Sequence, residues 1–141
     1  MKLTILAVGK LRDAWVVEGC DEYRMRLRGK LPLDVVEVKD DRELERRLPP
    51  RARVWALDER GRELSSDELA ESLRRAMNAG EQGIAFLVGG ADGLPAPLVA
   101  RADFRWSLGR LTLPHRLARL ILLEQLYRAV SIVRGEPYHR P

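Results

Sequence analysis

The chain has 141 residues, a formal net charge of +4, 45% hydrophobic residues and 33% charged residues. That predicts one globular domain, residues 1–141, large enough to bury a core without metals or disulfides. The single cysteine, Cys20, excludes an internal disulfide or a cysteine-rich zinc site; no run reaches the roughly 18 apolar residues of a membrane span, and MKLTILAVGK lacks a signal-peptide cleavage site, so the expected setting is the reducing cytoplasm.

Five apolar runs predict strands: Leu3–Val8, Asp34–Val38, Val54–Leu57, Ile84–Val88 and Phe104–Leu108. KLTILAVG and GIAFLVGG are nearly continuous rather than alternating, as in strands covered on both faces. Helical spacing falls between them. In residues 13–28, Trp15, Val16, Cys20, Tyr23 and Leu27 share one face. Residues 41–48 predict a short helix stopped by Pro49 and Pro50. Residues 65–79 open on a capping box, Ser65 with Glu68, and offer Leu69, Leu73, Ala76 and Met77 as the buried face, with Gly80 as the stop. The last helix starts near His115, after Pro114, and runs to about Arg134, with Gly135 ending it. Its apolar residues, from Leu117 to Val133, wrap nearly every face. One chain's sheet can cover only one side, so a second subunit is expected on another. Glu124 and Arg128 form an i,i+4 pair on the remaining polar strip. Strands alternating with helices predict an α/β fold with a mainly parallel sheet flanked by helices. Ligands in such folds sit at the carboxyl ends of the strands.

Charge is uneven. Residues 101–141 carry eight arginines and three acids, a net +5, against −1 for residues 1–100. Arginine matches phosphate geometry, so a polyanion such as RNA is one reading and an arginine-rich solvated surface is the other.

Three strand-end loops are candidate sites. Leu57-Asp58-Glu59-Arg60-Gly61 suits a ribose contact or a simple turn. Gly89-Gly90-Ala91-Asp92-Gly93 lets a backbone approach a ligand or make a tight turn, but it matches no phosphate-loop motif. Ser107 to His115, SLGRLTLPH, is apolar. Its backbone donors and acceptors could bind a flat heterocycle between Leu108, Leu111 and Leu113, or be satisfied internally in a buried connector. No GxSxG, HExxH or paired metal-ligand spacing occurs. The tail, GEPYHRP, carries His139, an acid–base group where chains usually fray.

LVGGADGL after a buried strand, WSLGRLTLPH, and the closing LILLEQLYRAVSIVRGEPYHRP together resemble the RlmH family, the smallest SPOUT methyltransferases. The likeness spans the chain, from MKLTILAVGK to YHR. The resemblance implies a C-terminal trefoil knot, a homodimer with an interfacial active site, and no metal. It implies S-adenosylmethionine as methyl donor and N3 of a pseudouridine in large-subunit (23S) ribosomal RNA as acceptor. Carried onto this chain, it places the donor against Leu57, Gly89, Gly90, Leu108, Gly109, Arg110, Leu111, Thr112 and Leu113. It assigns His139 to proton handling or base contact, with Tyr138 orienting or stacking on the base. Arg110, Arg116, Arg134 and Arg140 would bind phosphates. Two rivals stay open: a non-catalytic RNA-binding assembly factor, and a SPOUT enzyme with another RNA acceptor.

Overall fold

The structure is a computed structural model that describes all residues, Met1–Pro141. Five strands, β1 (Lys2–Val8), β2 (Leu33–Val38), β3 (Arg53–Glu63), β4 (Gly83–Val88) and β5 (Phe104–Ser107), form one sheet in the order β2-β1-β4-β3-β5. Every pairing is parallel. The helices are α1 (Ala14–Leu27), α2 (Asp41–Arg46), α3 (Ser66–Asn78), α4 (Ala96–Arg101) and α5 (His115–Val133).

Side-chain alternation divides the core into two layers. Leu3, Ile5 and Ala7 of β1 and Ile84, Phe86 and Val88 of β4 face a large cluster with α1, α3 and α5. Leu6 and Leu87 face a smaller one, closed by Leu44 of α2 and Leu98 of α4. Both faces of β1 and β4 are therefore covered, which is why their sequences read as unbroken apolar runs. On the larger face α5 packs against both α1 and α3. A Cβ on Gly19 would stand 2.9 Å from Leu120, so α1 and α5 meet closely there.

The expected elements recur, with four differences. The β3 strand does not stop at Leu57. It bulges over residues 58–61 and pairs with β5 again, Leu57 and Arg62 both opposite Trp106. The acidic turn expected after Leu57 is thus a bulged part of a strand. The β5 strand ends at Ser107 and α2 at Arg46, each short of its expected end. Trp15 and Met77, expected in buried faces, are 58% and 40% exposed; Val16, Cys20 and Leu27 carry the buried face of α1, and Leu69, Ala70 and Leu73 that of α3. The capping box is present, with Glu68 N–H donating to Ser65 Oγ at 3.0 Å and Ser65 N–H to Glu68 at 2.9 Å. No helix is long and apolar enough to cross a membrane.

Candidate functional site

In an all-parallel sheet the strands end along one edge. Here that edge gathers Val8–Gly9, the turn from Gly89 and the segment from Ser107. Arg119 ties α5 to it. Its side chain is buried and donates to Glu37 at 2.5 Å, to the Val8 carbonyl at 3.2 Å and to the Gly9 carbonyl. Glu37 also accepts the Leu11 N–H at 2.8 Å. Burial pushes the Glu37 carboxyl up, but its bonds from Leu11 and Arg119 outweigh this and hold it below the ordinary carboxylate range. Arg116 pairs with Asp13, at the head of α1, at 3.1 Å. The first turns of α5 therefore lie at the strand-end edge.

The glycine turn is tight. A Cβ on Gly89 would fall 2.4 Å from the Gly93 carbonyl carbon, so no other residue fits without opening the turn. A Gly90–Gly93 bridge closes it, and a Cβ on Gly90 would touch the Val8 side chain at 3.5 Å. The neighbouring loop is held at its root by Ser107, which is buried. Its Oγ accepts from Gly109 N–H at 3.2 Å and donates to the Gly109 carbonyl at 2.9 Å. Gly109 has a φ of 143°, a region glycine tolerates and side chains rarely do. Beyond that clamp, no backbone group of residues 110–113 is hydrogen-bonded within the chain. Leu111 is 78% exposed, while Leu108 and Leu113 are half-buried. The loop is thus an apolar rim with free backbone donors and acceptors, the chemistry a heterocycle needs. Leu57 sits half-buried beside it, opposite Trp106 at the bulge.

The tail lies elsewhere. After Gly135, which takes a φ of 72°, Glu136 bonds Lys30, in the turn after α1, and, at 2.7 Å, Arg134. The chain then folds back along α5. Tyr138 donates its hydroxyl to Glu124 at 2.7 Å. Its ring meets Tyr127 edge-on with centroids 4.6 Å apart, and the Arg128 guanidinium lies 4.7 Å from its centroid. Burial and the Glu124 bond push the Tyr138 hydroxyl well above its ordinary value. With its ring engaged, Tyr138 orients the tail rather than offering a stacking face. His139 places Nδ1 3.0 Å from Arg128 Nη1 and Nε2 3.7 Å from Asp67 of α3.

The contacts gather the candidates in two groups. Leu57, Gly89, Gly90 and residues 108–113 share the strand-end edge. The tail clamp at Arg128 is nine residues beyond Arg119, about 14 Å along the helix at 1.5 Å per residue. Of the phosphate candidates, Arg110 and Arg140 are exposed, Arg116 is paired with Asp13 and Arg134 with Glu136. The sequence assigns no role to Ser107 or Arg119 and offers Glu124–Arg128 only as an i,i+4 pair on the polar strip of the last helix. A serine two residues before a loop glycine is a signal for the first; an arginine amid apolar helix positions is one for the second. No group of three or more His, Cys, Asp or Glu side chains is placed to hold a metal ion.

The family model described as "Predicted SPOUT methyltransferase" matches residues 1–139. The ribosomal RNA large subunit methyltransferase H of Anaeromyxobacter dehalogenans (strain 2CP-1 / ATCC BAA-258) is 46% identical, over 99% of this chain and 100% of that protein. Among solved structures, a probable methylase family protein from Haemophilus influenzae Rd KW20 superposes with a TM-score of 0.63 at 13% identity, covering 99% of this chain and 70% of that one. The SpoU methyltransferase AviRb from Streptomyces viridochromogenes, solved with AdoMet, gives 0.53 at 14% identity, covering 96% and 58%. The two structural likenesses show the fold, and the first two matches, which span nearly the whole chain, show the lineage: this protein belongs to the SPOUT methyltransferase family.

Proposed function

We propose that the protein is a single-domain, cytoplasmic enzyme that methylates N3 of a pseudouridine in large-subunit ribosomal RNA, with S-adenosylmethionine as donor. The observation that carries this is the apolar loop of residues 108–113, with unpaired backbone groups beside the tight Gly89 turn. When bound, the donor supplies an electrophilic sulfonium methyl, which the attacking nitrogen takes as the S–C bond electrons return to sulfur.

This chain's residues do the rest. The backbone of residues 110–113 reads the adenine edge, and Leu108, Leu111 and Leu113 cover its faces. The tight Gly89 turn borders the donor. Arg110 and Arg140 hold phosphates, and Arg116 and Arg134 add positive field while paired. His139, on the tail that Tyr138 orients, faces the acceptor base, which is positioned in line with the methyl; such alignment supplies about 7–11 kcal/mol of a barrier.

The separation of tail and loops along α5 favours a homodimer in which one subunit's tail completes its partner's pocket. The exposed Trp15 and Met25 on the outside of α1 supply apolar surface for such a contact. The same reading includes the trefoil knot: the chain leaves edge strand β5 and returns α5 between α1 and α3.

The test is mass spectrometry of ribosomal RNA from a methylation-deficient strain, before and after incubation with protein and donor. One new methyl on a pseudouridine is expected. Donor binding without RNA methylation points to another acceptor, and no donor binding by calorimetry points to a non-catalytic assembly factor. His139→Ala should bind donor as wild type does and transfer slowly. Deleting residues 136–141 should damage transfer more.

A further inference from the structure

The contact between Arg128 and His139 fixes where the imidazole keeps its proton. A guanidinium has donors only and stays charged in proteins. With Arg128 Nη1 3.0 Å from His139 Nδ1, Nδ1 must accept, and Nε2 carries the hydrogen. Arg128 cannot swing away freely. Its Nη2 and Nε donate to Glu124 Oε2 at 2.8 and 3.1 Å. Glu124 also takes the Tyr138 hydroxyl at 2.7 Å and the Gln125 amide at 2.7 Å. Partial burial pushes Glu124 up, but these bonds outweigh it and keep the carboxyl below its ordinary range. One ion pair thus holds both tail residues, Tyr138 through its acid and His139 through its base. Nε2 is 3.7 Å from Asp67 Oδ1, too far for a hydrogen bond, so its N–H is free to engage a ligand.

We infer that Glu124 and Arg128 are positioning residues that lock His139 as the Nε2–H tautomer, so that His139 donates a hydrogen bond to a uracil carbonyl oxygen and does not take the N3 proton. The inference rests on the reading that the tail meets the acceptor base. The balance is complete without a histidine base. Water or hydroxide takes the N3 proton. The negative charge left behind spreads over N3 and its flanking carbonyl oxygens, and a donor aimed at one of those oxygens stabilises it. The N3 lone pair then forms the bond to the methyl carbon. Arg128 directs the imidazole as the carboxylate directs the histidine in a hydrolase triad, by fixing a tautomer, although with the opposite sign of charge.

Two measurements on the full-length protein test this. The first is a long-range proton–nitrogen NMR spectrum at mildly alkaline pH, with the two histidines assigned by His115→Gln. A fixed Nε2–H tautomer for His139 is expected, lost in Arg128→Met. An Nδ1–H form or a mixture in the wild type overturns the inference, whatever the activity. The second is single-turnover methyl transfer. His139→Gln keeps a donor near Nε2 but cannot accept a proton. It should stay within about 10-fold of wild type, whereas His139→Ala should lose about 100-fold, the usual cost of deleting one such donor. Glutamine as damaging as alanine overturns the donor role. Wild-type turnover by His139→Ala removes His139 from the reaction and overturns the underlying reading too, even with the tautomer fixed as expected.

The pH profile adds a third readout. The charged groups around the ring are Arg128 and Glu124 of α5 and Asp67 of α3, with Tyr23 and Arg26 of α1 on the far side of Tyr138. With hydroxide as base, the wild-type rate should climb steadily through neutral pH. A rate that levels off to a plateau within that range overturns the inference.

Discussion

Replacing Arg119 with methionine removes the one buried cation in the fold and should be costly. The residue is 2% exposed and its side chain serves three acceptors: Glu37 and the carbonyls of Val8 and Gly9. Each bond to a charged group contributes about 1.5–3 kcal/mol, and breaking a buried ion pair from one side costs about 3–5 kcal/mol. The Glu37 side chain is 35% exposed, so water can partly re-solvate it, and methionine replaces much of the lost apolar stem. The low end applies, about 3 kcal/mol, which lowers the melting temperature of a domain this size by about 10 °C. The assay is thermal melting at fixed protein concentration, because association would raise the midpoint. Arg101→Met is the control: its 2.9 Å pair with Glu45 is exposed on both sides and should contribute under about 1 kcal/mol. Adding Glu37→Met to Arg119→Met should recover part of the loss, since no orphaned carboxylate then remains. The pH dependence has a definite sign. Glu37 is depressed from 4.5, so its contribution is present above that value and fades as pH falls through the lower folded value. The gap between wild type and Arg119→Met should therefore narrow only below about pH 4.5. A variant melting within about 2 °C of wild type at neutral pH would refute the claim that this contact anchors α5.

Gly89→Ala should weaken donor binding at least about 10-fold, a shift of about 1.4 kcal/mol, because its Cβ would lie 2.4 Å from the Gly93 carbonyl carbon and force the turn apart; unchanged calorimetry would show that the turn does not border the donor. Trp15→Glu, at a position 58% exposed, should leave the circular dichroism unchanged and shift sedimentation from dimer to monomer, and a persistent dimer would place the interface elsewhere. Tyr138→Phe should lower the melting temperature at neutral pH by removing the 2.7 Å bond to Glu124. The phenol is raised from 10.0, so its contribution is present below that value and lost as pH rises past it. The gap between the two melting curves should start to narrow only above about pH 10 and keep shrinking as pH climbs towards the raised folded value, and a gap that does not narrow there at all would count against the bond.

The legible parts of the fold were those where local pattern and tertiary fate coincide. The β1 and β4 strands lie between two helical layers, so unbroken apolar runs were sufficient. Ser65 and Glu68 cap α3 through bonds three residues apart, which any reader of the chain can see. The second half of β3 was hidden because Asp58–Glu63 pairs only with the edge strand and faces water, so it carries polar residues that read as a turn. Trp15 misled for a related reason. Helical spacing identifies an apolar stripe, but not whether the stripe meets its own sheet or another subunit.

The site was legible as two lists and not as one place. Each loop could be found from its glycines or its apolar run, and the tail from its composition. Their separation depends on how far along α5 each is anchored, and that is set by contacts more than ten residues apart in sequence: Arg119 to Val8 and Gly9 at one station, Arg128 to His139 at another. An i,i+4 pair such as Glu124–Arg128 ordinarily contributes about 0.2–0.5 kcal/mol on a helix surface, and nothing local distinguishes this one from the rest. It becomes a clamp only because the chain turns at Gly135 and returns Tyr138 and His139 onto it. The same return holds the tail at Arg128, about 14 Å along α5 from Arg119. A single helix thus anchors the strand-end edge at Arg119 and the tail at Arg128, and that spacing is what the proposed two-fold partner would have to bridge.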